Sequence, residues 1–288
     1  MSAIGNTNSK SNGAPKVWFI TGAGRGLGAA LANAVLAAGD KVVATGRNPQ
    51  SVEEALGGPN ENLLTLALDV TDEAQAQHAV VGATERFGRI DVLVNNAGYG
   101  LIGAVEESST VEVEAQYRTN VFGLLNVIRA ALPTLREQGS GHIINLSSVA
   151  GVVGFDQFAI YCSTKFAVEG ISESLALELE PFGIHVTSVQ PGYFRTDFLT
   201  GNSMVMAEAK MPAYDKGLRE TFQSYNGKQA GDPVKFASAV QAIVAADNPP
   251  LRLAVGPDAV ALIESKLESV RNDLDTWREV SISTDIVE

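Results

Sequence analysis

The feature that most constrains this chain is a regular alternation that begins at Lys16, in which short apolar runs are separated by Ala-rich amphipathic segments. The runs Val17 to Thr21, Lys41 to Ala44, Leu63 to Leu68, Val92 to Val94, His142 to Leu146 and His185 to Val189 carry the β-branched and apolar residues expected of strands buried on both faces. Between them, Ala29 to Ala38, a capped segment starting near Thr71–Asp72, Val111 to Arg136 and Tyr161 to Leu179 have helical spacing, with Pro133 expected to kink or loosen the last turn of the third. Strands separated by helices of this length need right-handed crossovers, which dictate a parallel sheet. The expected fold class is α/β, a doubly wound parallel sheet with helices on both faces. A helix from Pro233 to about Ala245, a short strand near Leu253 and a C-terminal helix complete the pattern.

No proline-rich or low-complexity linker breaks the alternation, so residues 16–288 are expected to form one domain behind a flexible tail at 1–15. Tyr193 to Gly231 is the irregular exception and carries Met204, Met206 and Met211. A long ordered loop of this kind predicts a substrate lid, mobile without ligand and closing over it.

The formal charge is −12, from 21 basic and 33 acidic residues, which disfavours nucleic acid and anionic membrane surfaces as partners. Cys162 is the single cysteine, so no intrachain disulfide can form, and its place beside Tyr161 reads as packing. His78, His142 and His185 lie far apart in sequence, no metal site is expected, and His185, opening a strand, reads as structural. Neither a secretion signal nor an apolar run long enough to span a membrane is evident, and the expected location is the cytoplasm.

Thr21-Gly22-Ala23-Gly24-Arg25-Gly26-Leu27-Gly28 falls where the first strand meets the first helix. Glycines there let the backbone turn tightly and approach a pyrophosphate, whose charge is stabilised by the helix N-terminus; this makes the fold Rossmann-like and the domain dinucleotide-binding. An acid at the end of the second strand would select NAD by bonding the ribose 2′-hydroxyl. Gly46-Arg47 stands there instead, and Arg47 with Arg25 can clamp a 2′-phosphate, so the expected cofactor is NADP(H).

Tyr161 and Lys165 are four residues apart on one helix face, and Ser147-Ser148 ends a strand whose C-terminal edge opens on the same crevice. A free phenol, with a pKa near 10, is a poor acid–base catalyst at neutral pH, and the lysine cation is expected to depress it. Tyr161 would then protonate a carbonyl oxygen held by Ser148 as hydride reaches the carbon.

Together these motifs resemble the single-domain branch of the short-chain dehydrogenase/reductase family over about residues 16 to 200. The glycine loop matches at Gly22, Gly26 and Gly28, Asn95-Asn96-Ala97-Gly98 matches the family's sheet-stabilising segment, and Tyr161 follows Ser148 at the family's spacing of thirteen residues. The resemblance implies that Ser148 orients substrate, that Tyr161 is the acid/base, and that Lys165 tunes it and holds the nicotinamide ribose. It implies for Asn120 a helix kink that positions a water for proton relay. Asp69 and Val70 would contact adenine and Asn95 its ribose, while Ala97 and Gly98 would line the cofactor with Leu27. Pro191-Gly192 would end the sixth strand, with Phe194 and Thr196 near the nicotinamide amide.

The expected activity is an NADP(H)-dependent carbonyl reductase, reversible as an alcohol dehydrogenase, with an apolar substrate faced by Phe198, Leu199 and Val205 among the lid residues. The alternatives are a 3-oxoacyl thioester reductase and a catalytically silent NADP-binding sensor or scaffold. A homodimer or homotetramer is expected to form through the helices at 111–136 and 161–179, whose Leu124, Leu125, Ile128, Phe166, Ile171 and Leu175 offer more apolar surface than one sheet face can cover.

Overall fold

The structure is a computed structural model that describes residues 14–199, 203–215, 217 and 224–286; all but the last two residues of the expected N-terminal tail lie outside this range. Its frame is β1 (Val17–Ile20), α1 (Gly26–Ala37), β2 (Lys41–Gly46), α2 (Pro49–Ala55), β3 (Leu63–Ala67), α3 (Glu73–Phe87) and β4 (Val92–Asn95). A short β5 (Gly100–Ile102) precedes α4 (Thr110–Tyr117), a π-helical turn (Arg118–Gly123), α5 (Leu124–Gln138) and β6 (Gly141–Leu146). Then come α6 (Ala159–Leu179), β7 (Ile184–Pro191), β8 (Met204–Met206), α7 (Pro233–Val244), β9 (Arg252–Val255), α8 (Pro257–Thr276) and α9 (Arg278–Ile282). Among the described residues seven strands pair in parallel in the order β3-β2-β1-β4-β6-β7-β9, so the strand order reverses between β1 and β4. In open α/β sheets the crevice beyond the carboxyl ends of the strands at such a reversal is where ligands bind.

Burial on both faces follows from the two-residue period of β1. Val17 and Phe19 join the core against α3, α5 and α6, whereas Trp18 and Ile20 join the core against α1, α2 and α7. Asp72 caps α3 by accepting from Gln75 N at 3.1 Å, as its sequence context predicts. The α2 helix is an addition to the expected set. Asn48 caps it, accepting from Gln50 N and Ser51 N, and Pro49 opens it.

Three expectations are corrected. The distortion in the helix expected at 111–136 lies at Arg118–Gly123, while α5 continues through Pro133 to Gln138. Tyr193 to Gly231 is not irregular throughout, because Met204–Met206 pairs in parallel with Gly100–Ile102. This pairing draws Met204 so close that a Cβ on Gly100 would sit 2.7 Å from its Sδ. The supposed surplus apolar surface is largely consumed within the chain: Leu124, Ile128 and Leu175 are buried in the core, Leu125 and Ile171 pack against it, and only Phe166 of that set is exposed. No helix among the described residues is long and apolar enough to cross a membrane.

Candidate active site

A cavity of about 900 Å³ opens at the carboxyl ends of the strands, over the β1/β4 reversal. One end is floored by Gly22, Arg25, Gly26 and Leu27, where Gly22 and Gly26 take φ of +64° and +56°, values that favour glycine. Gly28 does not line the cavity. A Cβ there would overlap Asn96 Nδ2 and lie 2.6 Å from Gly22 O, so this glycine permits the close seating of α1 against the loop. Asn96, not singled out by the sequence, fixes the loop from behind: its Nδ2 donates to Thr21 O (2.8 Å) and Gly22 O (3.0 Å).

Arg47, Asp69 and Val70 line the same end, with Thr71 beside them. Arg25 and Arg47 are exposed, and Asp69 Oδ1 accepts from Thr71 N and Thr71 Oγ1 at 3.0 and 2.7 Å. Gly46 has a packing reason of its own, since a Cβ there would come 2.8 Å from Val52 Cγ2. Asn95, expected at the ribose, lies elsewhere. Its side chain is buried in the sheet and donates to Asn145 Oδ1 at 2.9 Å, because it is a strand residue in register with Asn145.

The cavity is also lined by Ser148, Tyr161, Lys165, Gly98, Pro191, Gly192 and Phe194, while Ala97 and Thr196 line it next to the glycine loop, 3.0 and 3.7 Å from where a Cβ on Gly22 and on Gly26 would sit. The Phe194 ring also packs on Phe236 in the core, with centroids 5.6 Å apart. The Ser148 side chain lies near the Tyr161 phenol and favours its ionised form, while Ser148 Oγ accepts from Ala150 N at 3.1 Å. Lys165 Nζ donates to Leu146 O at 2.7 Å and lies 5.9 Å from the centre of the Tyr161 ring. Burial raises the Tyr161 phenol to about 12, with Ser148 opposing the shift, so the expected depression is not what this geometry produces. Burial also lowers Lys165 to about 8, and the nearby Glu169 carboxylate works against that. Spacing along a helix carries no information on desolvation, which here is the largest influence on the phenol.

Asn120 stands behind the cavity wall, in the π-helical turn. Its Nδ2 donates to Tyr99 O (2.8 Å) and Thr164 Oγ1 (3.1 Å), and its Oδ1 accepts from Tyr99 N (3.1 Å). The side chain thus ties the strand after Gly98 to α6, one residue from Lys165. Such local π-turns are frequent at functional sites.

The remaining wall is apolar: Phe155, Phe158, Phe198, Leu199, Met204 and Val205. Phe155 and Phe158 come from a segment that carries no motif or regular pattern. Asp156 and Asp197 also line this part of the cavity. Gln229 lines it too, fully buried, with neither end of its carboxamide hydrogen-bonded among the described residues.

Residues 16–204 match the short chain dehydrogenase family. The chain is 41% identical over 272 residues to oxidoreductase BOA17 of Botryotinia fuckeliana (strain B05.10), covering 93% of this chain and 99% of the relative. It is 38% identical over 245 residues to 3-ketodihydrosphingosine reductase of Bacteroides thetaiotaomicron, covering 84% and 88%. A solved short-chain dehydrogenase from Streptomyces avermitilis superposes with a TM-score of 0.88 at 40% identity, covering 95% of this chain and all of that one. A second, from Burkholderia phymatum and in complex with NAD, has a TM-score of 0.80 at 25% identity, covering 90% and 95%. ElxO with NADP bound has a TM-score of 0.71 at 27% identity, covering 86% and 100%. The chain belongs to the short-chain dehydrogenase/reductase family and is an oxidoreductase acting between a CH–OH and a C=O group.

Proposed function

We propose that the protein is an NADP(H)-dependent carbonyl reductase, reversible as a secondary alcohol dehydrogenase, for a substrate with an apolar body. The observation that carries this is one cavity with a glycine loop and two arginines at one end and Ser148, Tyr161 and Lys165 at the other. The residues fit a nicotinamide dinucleotide: Gly22 to Leu27 present an uncapped helix N-terminus to the pyrophosphate, and Arg25 and Arg47 meet a 2′-phosphate. When bound in reduced form, the cofactor supplies hydride to the carbonyl carbon. Ser148 and Tyr161 hold the carbonyl oxygen, and Tyr161, protonated throughout the neutral range, delivers its proton there as that oxygen gains charge. Lys165, kept in place by Leu146 O, stabilises the phenolate that results. Asn120 acts as a positioning residue through Tyr99 and Thr164.

NADPH oxidation measured across ketones, steroids, acyl thioesters and sugars tests the proposal. Turnover confined to apolar ketones supports it, and turnover of acyl thioesters alone would replace it with the thioester reductase. A narrower substrate class is favoured by two observations. The apolar wall is accompanied by the carboxylates Asp156 and Asp197, and a relative is a 3-ketodihydrosphingosine reductase. A long-chain ketone bearing an amine satisfies both, and belongs in the same screen.

The charge on Lys165 sets a pH limb. Its lowered pKa means that the cation is present below about pH 8 and is lost as pH rises through that value. Glu169, four residues further along the same helix, accepts from Ser188 Oγ at 2.6 Å and favours the charged lysine. Glu169→Gln is therefore expected to move the alkaline limb of kcat/KM for reduction to lower pH, with Glu169→Asp moving it less. A limb that stays in place in Glu169→Gln would show that Lys165 does not govern it.

A further inference from the structure

The C-terminal helix packs on the fold at its start, and past that start nothing among the described residues covers its apolar side. In α8, Ala259 is the one buried residue among those described, and the exposed apolar side chains continue into α9 with Trp277 between. The first turn is anchored at the active-site floor, where Asp258 Oδ2 accepts from Tyr193 N at 2.7 Å, and the following turns lead away from the fold. Helices owe most of their stability in water to packing of an apolar stripe, so a stripe of this length calls for a cover.

The spacing of the stripe says what kind of cover. Val260, Ile263, Leu267, Val270, Leu274 and Trp277 are separated by three and four residues in strict alternation, the heptad a and d positions of a helix that packs knobs-into-holes against another helix. Ile263 is half-buried, and the others are 40–61% exposed. Flanking positions decide the partner and its direction. With two copies antiparallel and Leu267 level with Val270 of the other, Glu264 falls beside Arg271 of the second copy and Lys266 beside its Asp273. Symmetry repeats both pairs, so these four flanking contacts join opposite charges. In a parallel pair Lys266 would instead meet Arg271. The helix is net acidic, with Asp258, Glu264, Glu268, Asp273, Asp275 and Glu279 against Lys266, Arg271 and Arg278, which disfavours an anionic lipid surface as the cover.

We propose that α8 of this chain docks antiparallel on α8 of a second copy through this heptad seam. The interface is isologous and closes a dimer. It does not depend on the enzymatic reading.

Mixing the full-length variants Val260→Cys and Trp277→Cys under mild oxidation tests the geometry directly. The antiparallel seam predicts disulfides between the two different variants in large excess over same-variant dimers. An excess of same-variant dimers would establish a parallel pair, and no cross-link above that of wild type would remove the seam; either overturns the proposal. Charge swapping tests the register by sedimentation of the native enzyme. Lys266→Glu and Asp273→Lys are each expected to weaken assembly about tenfold or more, and the double variant to restore it. Failure of the double variant to recover, while the protein stays folded and its cross-linking is lost, would overturn the register.

Discussion

Tyr161→Phe is expected to lower kcat for carbonyl reduction by roughly a hundred- to ten-thousand-fold, the range that general acid catalysis supplies. Cofactor affinity should change little, because the phenol hydroxyl faces Ser148 and the substrate end of the cavity rather than the glycine loop. The ring should stay where it is, packed at 6.4 Å from Phe158 and 6.1 Å from Phe198 between centroids, so the loss is one of chemistry and not of shape. Stopped-flow hydride transfer and titration of cofactor fluorescence separate the two effects. A variant that keeps more than about a tenth of the wild-type kcat would remove Tyr161 from its assigned role.

The second large effect concerns cofactor choice. A charge-assisted hydrogen bond contributes roughly 1.5–3 kcal/mol, and both arginines are exposed, so solvent and salt take a substantial share. The expected preference of the wild type for NADPH over NADH in kcat/KM is then roughly ten- to a hundredfold. Arg25→Ala with Arg47→Ala should erase most of it. Inversion needs repulsion as well, which an acid at Gly46 would provide. Since a Cβ there would press on Val52, Gly46→Asp has to be combined with Val52→Ala as well as Arg47→Ile. A wild type that prefers NADH would sink the assignment, and an unaltered ratio in the arginine variants would sink its mechanism.

The main sheet was legible because its inner strands are buried on both faces and carry runs of consecutive apolar residues, as Val42, Val43 and Ala44 show. Ser148, Tyr161 and Lys165 were legible because the chemistry restricts residue type and helix geometry restricts spacing. The helix at Pro49–Ala55 carried its own start signal in Asn48-Pro49 and was readable in principle. The β5–β8 pair was not: each strand is three residues long, and its partner lies about a hundred positions away, a separation over which local pattern has no reach. Asn95 and Asn96 are adjacent and chemically identical, so which of them faces the sheet and which braces the loop depends on strand register alone. The high pKa of Tyr161 is a property of its surroundings, set chiefly by burial that only the folded chain creates.

The β5–β8 pair also bears on how substrate range can change in this enzyme. Strand β8 is not free to vary by itself, since β5 is its one ladder partner among the described residues and Gly100 is fitted to Met204. Just beyond β5, Glu107 accepts from Met211 N at 2.8 Å and Glu112 from Glu208 N at 2.9 Å, so the same two stretches are fastened a second and a third time. A 193–215 stretch transplanted from a relative would have to bring its backbone N–H groups back to these two acceptors and a side chain that fits against Gly100. The inheritable unit of specificity is therefore composite, residues 100–112 together with 193–215, and drift in either half is tolerated only when the other half drifts with it.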